Sequence, residues 1–157
     1  MKKVVTVMLP FLFAAVSFGQ NNVTWLRIVG VITAPGVQNP VAGIASGGLP
    51  WTASGGTVTV NLTEGTVGFV VEGLVLVGGN ASGTPGGVTS VKGTLVCAAG
   101  ANDQAVIDTP AVALSPQGNA SFSGQFEGAP PATCVNPLFL IRVGGANAWI
   151  ATAAVRL

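Results

Sequence analysis

Thr57-Val58-Thr59-Val60-Asn61-Leu62 alternates without a break. Val58, Val60 and Leu62 point one way; Thr57, Thr59 and Asn61 point the other. A period of two places apolar and polar side chains on opposite faces of a β-strand, so this stretch reads as a half-buried strand. The same reading extends outward. Thr66 to Val77 is more uniformly apolar, as expected of a central strand covered on both faces, or of one whose outer face meets a partner. On the other side, Val23 to Thr33 is rich in β-branched residues and predicts the first strand. Between them, Ala34 to Gly56 carries Pro35, Pro40, Pro50 and several glycines, the composition of a long loop.

Further along, Gly78 to Thr89 is a turn-rich connection and Ser90 to Ala98 a strand. Val71-Glu72-Gly73-Leu74-Val75 resembles Val91-Lys92-Gly93-Thr94-Leu95. Pairing the two as a hairpin with its tip near Ser82 sets Glu72 opposite Lys92, a favourable cross-strand pair. Asn119 to Phe126 alternates again, with Ala120, Phe122, Gly124 and Phe126 facing inward. Pro137 to Val143 and Asn147 to Arg156 are the last two strands. Gly144-Gly145-Ala146 joins them as a three-residue hairpin loop, which sets Ile141 across from Trp149. No segment sustains a 3.6-residue period. Roughly eight strands between turn signals predict an all-β fold, a single antiparallel β-sandwich or jelly-roll-like domain.

The amino terminus has a different character. Lys2 and Lys3 precede a mostly apolar run from Val4 to Val16, followed by Ser17, Phe18 and Gly19. These are the parts of a secretory signal peptide, expected over residues 1–19, with the mature domain over 20–157. The run falls short of the roughly 20 residues that span a bilayer. The expected destination is periplasmic or extracellular, with no stable membrane insertion of the mature chain. Beyond the leader, Arg27, Lys92, Arg142 and Arg156 stand against Glu64, Glu72, Asp103, Asp108 and Glu127. Four scattered cations make no basic stripe, which argues against a nucleic-acid partner.

Cys97 and Cys134 are the two cysteines. An even count in an exported chain favours a disulfide. Closing about 38 residues, it stabilises by roughly 4 kcal/mol on the chain-entropy model. Two sulfurs without histidine make a poor zinc site, so no metal and no cofactor are expected.

The chain contains no histidine and no tyrosine. Ser-His-Asp and Cys-His machinery are thereby excluded, as are His-based catalytic metal sites. A hydrolase built on carboxylates alone would need two of Glu64, Glu72, Asp103, Asp108 and Glu127 converging in one cleft. Asn102, Asp103 and Asp108 offer oxygens to calcium but lack the dense acidic spacing of a dedicated loop. Asn22, Asn61, Asn80 and Asn119 head Asn-x-Ser/Thr sequons. Trp51 is the candidate ligand-binding residue, a large ring in a long loop, where it either stacks on a sugar or closes one end of the fold. Trp25 and Trp149 lie on strands and belong to the core.

The expectation is therefore no enzyme but a secreted structural or interaction protein: a surface, matrix or filament subunit. Its partners are another surface protein or a second copy, met through a strand edge at Val23 to Ile32. The alternative is a monomeric module binding carbohydrate or a small apolar ligand beside Trp51.

Overall fold

The Thr57–Leu62 alternation is realised as the third strand of a computed structural model that describes residues 22–157. The expected leader, and the start of the mature chain at Gln20, lie outside these residues. Eleven strands and no helix are present among the described residues: β1 (Asn22–Gly30), β2 (Trp51–Thr52), β3 (Gly55–Asn61), β4 (Thr66–Glu72), β5 (Val75–Leu76), β6 (Ser90–Cys97), β7 (Ala105–Asp108), β8 (Val112–Ala113), β9 (Ala120–Gln125), β10 (Leu138–Val143) and β11 (Trp149–Arg156).

The strands do not divide into two stacked sheets. One antiparallel path runs β7-β6-β10-β11-β1-β3-β4-β9, with β8 continuing β7 along β6, and it curls into a half-barrel. The ribbon β2–β5 stands apart at one end. First and last strands meet in the middle: β1 pairs with β11 on one side and with β3 on the other.

The concave face is filled by side chains. Val58, Val60, Phe69, Val71, Leu95, Phe139 and Ile141 are all buried there. An aromatic line crosses the interior from β1 to β9. Trp25 and Phe139 lie 6.0 Å apart between ring centroids, Phe139 and Phe69 6.0 Å, and Phe69 and Phe122 5.9 Å. Tilted and offset contacts at these distances are favourable for aromatic rings. Gly93 on β6 makes the line possible, because a Cβ at that position would collide with Phe139 and crowd Phe69.

Strands covered on both faces are β6 and β10 rather than Thr66 to Val77. Val96 and Leu140 face outward yet are 0% and 1% exposed. Their cover is the 34–50 loop. It bonds to β11 through Trp149 N–H to Ala45 O (3.0 Å) and Gly47 N–H to Trp149 O (2.9 Å), and reaches the start of β7 where Gln104 Nε2 donates to Ala42 O (3.0 Å). Double cover explains the continuous apolar reading of Leu-Phe-Leu-Ile at 138–141. β4, by contrast, keeps one face in water, with Val70 42% exposed.

Three register expectations are corrected. Thr66 to Val77 is not one strand: Gly73, at φ 59°, turns the chain after Glu72 and starts β5 separately. The two look-alike segments therefore do not form a hairpin. β4 pairs with β3 and β9, whereas β6 pairs with β10, β7 and β8, so Lys92 sits opposite Arg142 and not opposite Glu72. Near the final hairpin, a bulge after Ile141 sets Ile141 opposite Ala151 and Arg142 opposite Trp149. The connection spans residues 144–148, longer than three residues, and Asn147 at φ 58° supplies the left-handed turn.

Replacing Gly93 with alanine should destabilise the fold by about 1–3 kcal/mol, the usual cost of overpacking a filled core. Urea unfolding followed by tryptophan fluorescence measures this as a lower midpoint at unchanged slope.

Candidate functional site

The charged residues that meet on the convex face of the sheet, partly buried, are Lys92 on β6, Asp108 on β7 and Arg142 on β10. Lys92 Nζ lies 2.6 Å from Asp108 Oδ2, and Arg142 Nη1 3.0 Å from Asp108 Oδ1. Thr94 Oγ1 donates to Asp108 Oδ1 (2.7 Å), and Arg142 Nε donates to Asn147 O (2.8 Å). Strand register builds this cluster, since Thr94 is opposite Asp108 and Lys92 opposite Arg142. Burial alone would raise the Asp108 carboxyl. Bonds from Lys92 and Thr94 and the charges of Arg142 and Lys92 outweigh it and hold the group below its ordinary 3.8. An ionised carboxylate that accepts from Lys92, Thr94 and Arg142 is a clamp across three strands.

The cysteines form the bridge Cys97–Cys134, with a Cα–Cα distance of 4.9 Å. It ties the lower end of β6 to the 126–137 connection, beside the bond from Ala98 N–H to Val135 O (2.7 Å). A disulfide of this kind suggests an oxidising, extracellular or periplasmic environment. No helix among the described residues is long and apolar enough to cross a membrane.

Trp51 is 6% exposed. Its backbone pairs with Leu76 and donates to Val31 O (2.9 Å), and its indole closes with Ile150 over Gly47. The ring thus seals one end of the half-barrel. Trp25 and Trp149 are buried as expected, and Trp149 Nε1 donates to Asn39 O (2.8 Å).

The other acids stay at the surface. Glu64 and Glu127 line one shallow cleft of about 320 Å³ below the β3–β4 turn, and both are exposed. Glu72 lines a wider cleft of about 770 Å³ with Val70, Val112, Ala113, Asn119 and Ser121. Asn102 and Asp103 occupy the turn before β7, while the Asp108 oxygens are taken by their donors, so the three oxygen-bearing residues do not gather. No group of three or more metal-ligating side chains occurs among the described residues. Two sequon asparagines have structural work: Asn61 Oδ1 accepts from Thr63 and Glu64 N–H, and Asn119 Oδ1 accepts from Gly73 N–H.

The sheet also has an edge that its own strands leave uncovered along most of its length. Among the described residues, β9 pairs only with β4, and β8 only with β6. The two are joined by a tight turn in which Ser115 N–H bonds Asn119 O (2.9 Å), and they meet again where Glu127 N–H bonds Asp108 O (2.8 Å). Between these points the seam is open, and the Glu72 cleft lies beside it. Pro110, which has no N–H, stands in the part of the chain that would have to close it. Comparison with protein-family models, with curated proteins and with solved structures finds no match for this chain.

Two measurements probe the clamp and the bridge. Asp108, lowered in the folded state, contributes stability that is complete above 3.8 and is lost as pH falls further through the folded value. Asp108→Asn should flatten that acid limb of the unfolding free energy. Replacing both cysteines with alanine should cost about 2–4 kcal/mol at neutral pH, and a reductant should affect only the parent protein.

Proposed function

We propose that the protein is a non-catalytic, secreted structural or interaction protein, a surface, matrix or filament subunit that associates through a strand edge. The observation that carries this reading is the open edge of β9. Natural sheets guard their edges with lysine, proline, bulges or a covering element. Ala120-Ser121-Phe122-Ser123-Gly124-Gln125 has no charge and no proline. An extended segment of another copy or another surface protein can add to such an edge by main-chain bonding.

The edge first expected, Val23 to Ile32, does not serve: β1 is a central strand with a partner on each side. Low charge supports the proposal as well, since four cations and five carboxylates over residues 22–157 leave little repulsion between copies. The ligand-binding alternative rested on an available Trp51 ring, and that ring is packed into the end of the fold.

Negative-stain microscopy and light scattering of the concentrated protein should show assemblies larger than a dimer. Ser121→Lys/Ser123→Lys, which charges β9 on its solvent face, should abolish them while leaving the circular dichroism melt unchanged. A parent protein that stays small at every concentration would sink the proposal.

A further inference from the structure

We infer that the Glu72 cleft receives a lysine or arginine side chain from an extended segment of a different protein, added antiparallel to β9. This rests on the edge association proposed above and assigns that edge a preferred partner. Main-chain bonding sets where the segment lies. Phe126 N–H bonds to Gly65 O on the β4 side, whereas Asn119 O and Glu127 N–H bond on the opposite side. Bonding direction alternates along an antiparallel strand. The N–H and C=O groups of Ser121, Ser123 and Gln125 therefore face the seam, and no strand among the described residues pairs with them. Each of the three offers one donor and one acceptor, which suits a segment of about five residues. Neighbouring strands of this sheet all run antiparallel. A segment added in the same sense has its carboxyl end beside Asn119 and Glu72.

Side-chain chemistry sets what the segment carries. Ser121 is exposed on the outer face and is the register partner of Val70, itself 42% exposed. A side chain opposite Ser121 crosses only that short hydroxyl before it meets Val70. Glu72 stands in the same cleft of about 770 Å³, which Val112 and Ala113 wall from the β8 side. Two strand spacings, roughly 10 Å, separate the added segment from β4. Lysine or arginine covers that span together with the Glu72 side chain, its methylenes on Val70 and its head at the carboxylate. Glu72 is the one charged residue lining the cleft, is exposed, and takes part in no ion pair among the described residues. Lys92 and Arg142 are held by Asp108 and do not line it. A second copy has no cation to offer from residues 22–157: Arg27 and Arg156 lie on paired strands, and Lys92 and Arg142 are bonded to Asp108. Copies that meet along β9 thus leave Glu72 without a partner, and a segment of another protein supplies one.

Calorimetric titration with end-blocked peptides of about seven residues tests this. The peptides alternate valine and threonine. One carries lysine near its carboxyl end on the threonine face, a second carries it near the amino end, and a third has glutamine in its place. Lysine near the carboxyl end should tighten binding at least about 3-fold over glutamine, as an exposed ion pair with a packed stem does. Glu72→Gln should erase that gain, and Glu72→Lys should transfer it to a peptide with glutamate at the same place. Ser123→Pro removes an edge N–H that β4 does not use, so it should weaken every peptide alike at an unchanged circular dichroism melt. A gain equal for lysine at either end, or one that survives Glu72→Gln, overturns the inference and leaves the edge reading standing. So do assemblies of the parent protein that vanish in Glu72→Gln, because a second copy then supplies the cation. Binding indifferent to Ser123→Pro overturns it as well. Failure of every peptide to bind also overturns it, and removes the edge reading too if the parent protein forms no assemblies.

Discussion

Phe139 and the space made for it by Gly93 are the constraint on which the rest of the molecule turns. Among the described residues no second large sheet is stacked on the half-barrel, and the β2–β5 ribbon stands only at one end, so the concave face must be filled from the half-barrel's own strands. The Trp25–Phe139–Phe69–Phe122 line does this, drawing one ring each from β1, β10, β4 and β9. Those strands lie far apart in sequence and at different places in the sheet. Rings held near 6 Å apart set the curl of the sheet, and the missing side chain at Gly93 lets β6 pass close behind Phe139. A tighter curl would close the seam, and a flatter sheet would leave the rings without neighbours.

Covering the convex face is the second problem, and it is solved unevenly. Over β6, β10 and β11 the 34–50 loop lies on the sheet. Where that cover ends, polar groups take over: Lys92, Thr94, Asp108 and Arg142 neutralise one another across β6, β7 and β10. Pairing two cations with one carboxylate that also accepts from a hydroxyl satisfies the partly buried polar atoms, and no buried side-chain nitrogen or oxygen among the described residues lacks a partner. Across β3, β4 and β9 no described segment lies on the outer face of the sheet. Thr57, Thr59, Ser121 and Ser123 there meet water directly.

Local pattern made much of this legible in the sequence. Alternation at Thr57–Leu62 and Asn119–Phe126 led to real strands, the glycines after Val143 led to a real hairpin of a different length, and the cysteine count led to the bridge. What escaped was long-range. The likeness of Val71–Val75 to Val91–Leu95 is one of sequence alone: the first straddles the break between β4 and β5, the second lies within β6, and nothing in it specifies that they pair. Gly73 redirects the chain through a positive φ, a single-residue event invisible to periodicity. The Lys92–Asp108–Arg142 clamp joins residues brought together by register alone. Its one sequence signal was that three of the chain's few charges stand within apolar strands. Trp51 in a long loop was ambiguous because ring burial depends on what the loop lies against, here Leu76 and Ile150.

The meeting of β1 with β11 bears on the order in which the molecule folds. Trp25 and Arg156 are register partners although roughly 130 residues separate them. A chain emerging in order from its amino terminus places β1 early but cannot seat it between β3 and β11 until the final strand has arrived. Such a topology delays completion of the core and lengthens the time the polypeptide remains unfolded. Formation of the Cys97–Cys134 bridge then fastens the lower end of β6 to the 126–137 connection.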